Sequence, residues 1–340
     1  MSTARLPGPA PAPAPATTVG TGADSPGRRS PLRPFRPSGL TWLAWRQSRT
    51  AARTLGGTVL LAVLVLLVGH FAFRSTLGAI DPDSALLQVS LLSHFTDRVE
   101  PAIFVLPVLI GMFVGAPLLS QEHEQGTIRL VRVQSVSPTR WLATRLAVPA
   151  LLVLVSVGVL AAVSTSLWYW DVYRLSPPLD PAFQGLTYPA LGLAPVAWSL
   201  YALAVGAAIG QFLRRTVPSA LATGVAVGLS QLLVHAVRVH FLPLVDAAPW
   251  RTSWSMQFVQ PAGSWVVEGG YVLPDGSRVA NTVCLAGMDC NGYTSSYPAW
   301  ARVHPVSHLF PMQLVETALL AAVAGAALYL TFRRVARTAL

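Results

Sequence analysis

The stretch "GAPLLSQEHEQGTIRLVRVQSVSPTRW", residues 115–141, separates two long uncharged runs of the chain. No charged residue occurs between Glu100 and Glu122, and a second uncharged run begins after Arg145. The hydrocarbon core of a bilayer requires about 20 consecutive apolar residues of helix. The stretch therefore predicts two membrane-spanning helices joined by a charged loop.

The composition of the whole chain agrees with a membrane protein. Hydrophobic residues make up 53% and charged residues 11% of the 340 residues, against about 25% charged residues in soluble domains. The basic residues are 24 arginines that lie beside apolar runs, and not on a soluble basic module of the kind that binds nucleic acid. We therefore expect an all-α polytopic membrane protein with no nucleic-acid partner.

Six apolar runs are long enough, or nearly so, to cross the membrane: 55–74, 101–120, 146–168, 189–212, 217–237 and 311–332. Arginines near the ends of spans mark the cytoplasmic side. They cluster at one set of ends, namely at Arg46, Arg49, Arg53, Arg129, Arg132, Arg140, Arg145, Arg214, Arg215, Arg333, Arg334 and Arg337. This distribution predicts that both termini are cytoplasmic.

The spans divide the chain into four parts. We expect a disordered Pro/Ala-rich cytoplasmic tail over 1–38, and then spans one to five with the charged loop 121–144 over 39–240. A small extracytoplasmic loop domain follows over 241–310, and span six with a basic cytoplasmic C-terminus covers 311–340. Within the outer loop, "SWVVEGGYVLPDGSRV" predicts two strands around a Pro-Asp-Gly turn.

The charged loop has three possible roles: an active site, a metal site or a docking element for another protein. A zinc motif of the HExxH type needs two histidines one helical turn apart, whereas the loop contains only His123. We expect a short helix that begins with Glu122 and Glu124 at its positive end. Ser137 then caps the next helix, with Pro138 in its first turn. Ordered ends of this kind favour a rigid docking element, and no metal or catalytic site is expected in the chain.

Glu316 is an acidic residue inside span six, where a charge is expensive and is normally paired. Arg238 and His235 lie at a similar depth at the end of span five. We expect an intramembrane pair of Glu316 with Arg238 that locks two helices, with proton coupling as the less favoured alternative. On the outer side, Cys284 and Cys290 are expected to form a disulfide, with two free thiols as the alternative.

Three pairs of glycines occur four residues apart: Gly111 and Gly115, Gly206 and Gly210, and Gly224 and Gly228. Such steps let membrane helices approach closely. Span five also carries Ser219, Thr223 and Ser230, which either line a pathway or hydrogen-bond between helices. The sequence alone does not decide between lining a pathway and hydrogen bonding between helices.

The segments "WLAWRQSRTA", "GAPLLSQEHEQGTIRLVRVQSVSPTRWLATRL", "YALAVGAAIGQFLRRTVPSALA" and "QLVETALLAAVAGAALYLTFRR" together resemble the ABC-2 class of ABC-transporter permeases. The resemblance implies the membrane-spanning subunit of an exporter in the bacterial cytoplasmic membrane, surrounded by membrane lipids. It also implies a second permease, identical or related, and a separate ATP-binding subunit that holds ATP and Mg. A standard P-loop needs a lysine, and the chain has none, so we expect no enzyme and no cofactor in this chain.

The resemblance also assigns roles to particular residues. It implies that the charged loop is a coupling helix that docks on the ATPase, with Glu122, Glu124, Gly126 and Thr127 in that helix and Arg140 after it. The segment with Arg46 and Arg49, which we expect to lie along the inner leaflet, resembles the connecting helix of the family. Spans two and five line the path in the family, which makes Pro107, Gly111, Thr223 and Ser230 candidate lining residues. The alternative function is a membrane anchor or sensor that recruits a cytoplasmic partner without transport.

Overall fold

The structure is a computed structural model that describes residues 40–77, 99–126, 137–169, 182–183, 185–247, 264–280 and 299–337. Predictions on the tail 1–38, on Thr127 and on Cys284 and Cys290 lie outside these residues. Within them, 6 helices are long and apolar enough to cross a membrane. The protein is therefore a multi-pass membrane protein, as its composition predicts.

Seven α-helices form the described part of the bundle. They are α1 (Leu40–Leu77), α2 (Val99–Glu124), α3 (Pro138–Leu167), the short α4 (Thr187–Ala190), α5 (Ala194–Leu213), α6 (Thr216–Val237) and α7 (Leu309–Arg337). Single 3-10 turns extend α6 over Arg238–His240 and precede α7 over Val306–His308. We call the end of the bundle where α2 stops and α3 starts the loop end, and the opposite end the sheet end.

Helix α1 corrects one prediction. The segment around Arg46 and Arg49 is not a separate helix along the membrane surface, because α1 runs without a break for 38 residues. At 1.5 Å per residue its length is about 57 Å, well beyond a hydrocarbon core of about 30 Å. Gly56 and Gly57 do not interrupt it, since glycine lowers helix stability without removing a backbone hydrogen bond.

The fourth span is also different from its prediction, because residues 189–212 do not form one helix. Leu191 leaves helical geometry after α4, and Gly192 adopts φ +60° before α5 begins. The side chain of Gln313 on α7 closes this break: its Nε2 donates to the Leu191 carbonyl at 2.9 Å, and its Oε1 accepts from the Leu193 N–H at 3.1 Å. A Cβ at residue 192 would collide with Gln313 Oε1. The break therefore needs both the glycine and the amide.

Helix α5 is the centre of the bundle. It packs against α2, α3, α6 and α7, while α1 packs on α3. The contact with α2 is made by backbone: a Cβ built on Gly206 would lie 2.6 Å from the carbonyl oxygen of Gly111, and one on Gly115 would lie 2.8 Å from the carbonyl oxygen of Leu203. Two of the three predicted glycine steps thus face each other. The third does not join this contact, since Gly224 faces the Met112 thioether and Gly228 faces open space.

Helix α2 changes its winding where it meets α5. Residues Gly111–Gly115 form one π-helical turn, and the Ala116 N–H donates to the Gly111 carbonyl at 2.8 Å. A π turn inserts one extra residue without ending the helix. Both glycines of the α2 step lie inside this turn, so the irregular winding and the closest helix–helix contact coincide.

At the sheet end, four antiparallel strands pair in the order β1-β4-β2-β3, with bounds Val245–Ala247 (β1), Trp265–Val272 (β2), Arg278–Ala280 (β3) and Ala299–His304 (β4). The predicted hairpin is confirmed by the pairing of Gly270 with Ala280 and of Val272 with Arg278. In its turn Gly276 has φ +85°, and hydrogen bonds from Ser277 lower the pKa of the Asp275 carboxyl.

We expect Gly206→Ala to destabilise the protein by about 1–3 kcal/mol, because the added methyl group must push α5 away from α2. Gly158→Ala is the matched control: it is also a glycine-to-alanine change inside a helix, and its Cβ would meet nothing within 4 Å. Thermal unfolding of the two variants in one mild detergent measures the difference. Equal midpoints would show that the α2–α5 contact is not tight.

Candidate functional site

The charged residues of the loop stretch lie at the end of α2. Helix α2 continues without a break to Glu124, Gln125 caps it, and Gly126 then takes φ +68°. The prediction that Glu122 and Glu124 begin a separate helix is therefore wrong. They occupy the last turn of α2, where the helix dipole is negative and an acid needs another positive partner.

Glu122 finds that partner on α3. Its carboxylate lies 2.8 Å from Arg145 Nη2, and both side chains are largely buried, with 11% and 13% exposed. A buried charge that loses its partner is strongly destabilising, because the remaining charge has no solvent to stabilise it. The ion pair therefore fixes the end of α2 to the start of α3.

Glu124 finds its partner at the start of α6. Its Oε1 accepts from the Thr216 backbone N–H at 2.9 Å, and its Oε2 accepts from the Thr216 hydroxyl at 2.6 Å. The N-cap residue of α6, Arg215, provides no side-chain cap. A carboxylate at a helix N-terminus satisfies free backbone N–H groups and complements the positive end of the dipole. Glu124 thus caps α6, although it lies 92 residues before Thr216 in the sequence.

His123, between the two acids, contacts the end of α5. Its Nε2 lies 2.8 Å from Gln211 Oε1. We call the three contacts Glu122–Arg145, His123–Gln211 and Glu124–Thr216 the polar clamp. Three successive residues point around the last turn of α2 and each reaches a different helix, so the polar clamp ties α2 to α3, α5 and α6 at one level of the bundle.

The other residues predicted for docking are not part of the polar clamp. Arg140 in the first turn of α3 and Arg49 on α1 are exposed, and so is Gly126. Ser137 holds the N-cap position of α3 with Pro138 behind it, as predicted, although the Ser137 side chain makes no capping hydrogen bond. Arg46 lies within α1. We call the exposed positions Gly126, Ser137, Arg140 and Arg49 the rim, to which the two arginines give a basic character.

Glu316 of α7 is the centre of a second polar cluster, toward the sheet end. The structure brings its Oε2 to 3.5 Å from Arg238 Nε, with 1% and 5% of the two side chains exposed. His235, the other predicted partner, is exposed. Glu316 Oε1 accepts a 2.6 Å hydrogen bond from the Trp198 indole N–H on α5. This cluster joins α5, the end of α6 and α7.

Two members of this cluster were missed by sequence reasoning. The guanidinium carbon of Arg238 lies 3.8 Å from the centre of the Tyr188 ring on α4, a cation–π geometry. The indole N–H of Trp198 is a donor that normally finds a hydrogen-bond partner when it is buried. The sequence therefore did contain a signal for Trp198. Tyr188 gave no signal, because its position depends on the break at Gly192.

The four candidate lining residues lie among the helices of this chain. Pro107 is buried, and Gly111 packs against Ala202 and Thr223. Thr223 donates to the Ser219 carbonyl at 2.7 Å, and the Ser230 hydroxyl lies 2.7 Å from the Tyr201 hydroxyl. The geometry of Thr223 and Ser230 suits hydrogen bonding within and between helices, which was one of the two roles left open. A pathway at these residues stays a prediction.

No three His, Cys, Asp or Glu side chains gather as metal ligands would in the part of the chain that the structure describes. His304 and His308 are neighbours, with 3.2 Å between their Nδ1 atoms. His304 Nε2 also lies 3.1 Å from the Val239 carbonyl oxygen, and burial lowers the pKa of the His304 imidazole. The pair joins β4 to the start of α7.

We expect Glu316→Ala to destabilise the protein by about 3–5 kcal/mol, because it leaves Arg238 buried without a carboxylate. The matched control is Glu268→Ala. Glu268 pairs with Arg302 at 3.0 Å, but its side chain is 48% exposed and that of Arg302 is 43% exposed, so about 0–1 kcal/mol is expected. Thermal unfolding in detergent compares the two. Similar losses of stability would contradict a structural role for the buried pair.

A family model described as "ABC-2 membrane transporter related" matches residues 56–238, more than half of the 340 residues. The match begins in α1, includes the polar clamp and ends at Arg238 of the buried pair. No curated protein and no solved structure matches the chain. The match by itself identifies the chain as a component of a membrane transporter, and the chain belongs to the ABC-2 membrane transporter related family.

Proposed function

We propose that this chain is the permease subunit of an ABC exporter in the bacterial cytoplasmic membrane, with both termini in the cytoplasm. A separate ATP-binding subunit holds ATP and Mg, and a second permease, identical or related, completes the path. Family membership supports a transporter, and the absence of lysine supports an external ATPase, since a standard P-loop needs that residue. Substrate movement is then powered by a partner, and this chain catalyses no hydrolysis.

The polar clamp is the observation that carries this proposal. An ATPase that docks at the loop end must move spanning helices, and α2 enters the loop as a continuous helix. Because Glu122, His123 and Glu124 hold α2 to three other helices, a push on the loop moves these helix ends together. Rigid elements with defined contacts are the kind of structure that transmits a conformational change.

Docking and transmission then fall to different residues. Glu122 and Glu124 are engaged with Arg145 and Thr216 of their own chain, so their role is to transmit and not to grip the ATPase. Binding of the ATPase is assigned to the exposed rim, which includes Gly126, Arg140 and Arg49. This division refines the role that the family resemblance implies for the two acids.

From the polar clamp, motion has a defined route along α2. The π turn at Gly111–Gly115 sits directly against Gly206 and Leu203 of α5. Single π turns inside α-helices are frequent at functional sites. Helix α5 in turn contacts Glu316 through Trp198. We propose that this route switches the bundle between inward-facing and outward-facing states.

A charge swap tests the transmitting role. We expect Glu122→Arg to abolish stimulated ATPase activity of the complex, because it places two like charges at the buried α2–α3 contact. The double variant Glu122→Arg/Arg145→Glu is expected to restore much of that activity, since it rebuilds the ion pair with the signs reversed. The measurement is ATPase activity of the subunit that co-purifies with the tagged chain.

Arg140→Glu is the control for docking. Arg140 is exposed on the rim, so we expect this variant to weaken co-purification of the ATPase without lowering thermal stability. If the double swap stayed inactive while it bound the ATPase normally, the Glu122–Arg145 ion pair would not be the contact that transmits the motion. If no ATPase co-purified with the unaltered chain under several mild detergents, the anchor or sensor function would replace the exporter.

A further inference from the structure

A lateral groove lies between α3 and α7, with α5 as its floor. It has a volume of about 360 Å³, within the range of about 300–1,000 Å³ that small-molecule sites occupy. Leu146 and Ala150 form one wall, residues between Ala197 and Ala204 form the floor, and residues between Thr317 and Leu328 form the other wall. All three segments belong to membrane-spanning helices, and the groove contains no residue of the polar clamp.

We propose that this groove binds one acyl chain of a membrane phospholipid as a specific site. The proposal goes beyond export and stands whether or not the chain transports a substrate. Its occupant must be apolar, because the lining consists of aliphatic side chains apart from Tyr201, Thr317 and a glycine. The Tyr201 hydroxyl is already engaged with Ser230.

The groove opens sideways, toward the surroundings of the bundle. Ala321 and Gly325 at its rim are exposed, and a Cβ on Gly325 would meet nothing within 4 Å. Next to the rim, Leu151 is 61% and Val323 is 47% exposed. Exposed apolar side chains on spanning helices face lipid, and at this depth in the membrane acyl chains are the surrounding medium.

The dimensions fit one hydrocarbon chain. From Thr317 to Leu328 the wall on α7 is about 17 Å long at 1.5 Å per residue, close to the half-thickness of about 15 Å of a bilayer core. Dividing the volume by this length gives a mean cross-section of about 21 Å², which is about 5 Å on a side. This suits a single row of carbon atoms with contact distances of about 3.5–4.0 Å. A helix of a second copy, about 10 Å across with side chains, is too wide to enter.

Lipid adducts on α5 report whether an acyl chain occupies the groove. The α5 residues Ala197, Leu200 and Ala204 are buried or half-buried, so a lipid reaches them only by entering the groove. The experiment reconstitutes the full chain in vesicles of phosphatidylcholine and phosphatidylglycerol that contain a phospholipid with a diazirine in one acyl chain. After irradiation, mass spectrometry maps the lipid adducts. We expect adducts on α5 between Ala197 and Ala204, besides those on exposed residues of spanning helices outside the proposed path, such as Leu61 of α1, which is 63% exposed.

Two neighbouring alanines of α7 supply a matched pair. Ala321 lines the groove, whereas Ala322 does not, and both are exposed. We expect Ala321→Leu to lower the α5 adducts at least about fivefold, because added methylene groups occupy the space of the acyl chain. We expect Gly325→Leu to lower the α5 adducts as well, because a side chain at this position would extend into space that is open at the rim of the groove. Ala322→Leu should leave the α5 adducts unchanged, and in every variant the adducts on Leu61 of α1 report equal labelling.

Thr317 tests the chemistry of the occupant. Its buried hydroxyl has no hydrogen-bond partner among the described residues, and an acyl chain offers none. We therefore expect Thr317→Val to preserve or raise the α5 adducts. A fall in that variant would mean that the occupant carries a polar group, which overturns an acyl chain. Absence of α5 adducts in the unaltered chain, or equal adducts in Ala321→Leu and Ala322→Leu, would overturn the site itself.

Discussion

The close approach of α2 to α5 is the constraint on which the other contacts depend. Between helices in lipid the hydrophobic effect supplies little attraction, so packing of small residues holds them together. Here the carbonyl of Gly111 sits where Gly206 has no side chain, and the carbonyl of Ala116 sits opposite Gly210. This contact puts α5 at the centre, where it can also meet α3, α6 and α7.

Two polar clusters then hold the ends of this packed centre. At the loop end the last turn of α2 gives one side chain to each of three helices. Toward the sheet end Glu316 gathers Trp198 and Arg238. A polar group in a membrane interior needs an internal partner, so each such residue specifies which helices lie side by side. Apolar surfaces alone would specify this less well, because they resemble one another.

The groove is a consequence of the same architecture. Helices α3 and α7 both rest on α5, and where alanine and glycine occur on facing surfaces the side chains do not fill the space between the two outer helices. A void in a soluble core loses contacts on all its walls. In a membrane the surrounding acyl chains can supply them. The loosely packed groove between α3 and α7 can therefore lie beside the tightly packed α2–α5 contact without being an empty cavity.

The sequence by itself determined the features that depend on composition and on local spacing. Long uncharged runs predicted six spans, the Pro-Asp-Gly turn predicted the β2–β3 hairpin, and a single acid in span six pointed to a buried pair. Each follows from a cost that a residue incurs whatever its neighbours are: a backbone in lipid must be helical, and an intramembrane charge must be paired. The glycine spacing also indicated close packing, but not which helices meet.

Only the tertiary structure decided how helices end and which partners they meet. Local sequence rules placed Glu122 and Glu124 at the start of a new helix, whereas they end α2, and Glu124 caps α6 instead. The break at Gly192 is likewise closed by Gln313, more than a hundred residues away. Helix-end rules weigh only groups within one turn. A partner from a distant helix offers the same hydrogen bonds, and only packing reveals that it is near.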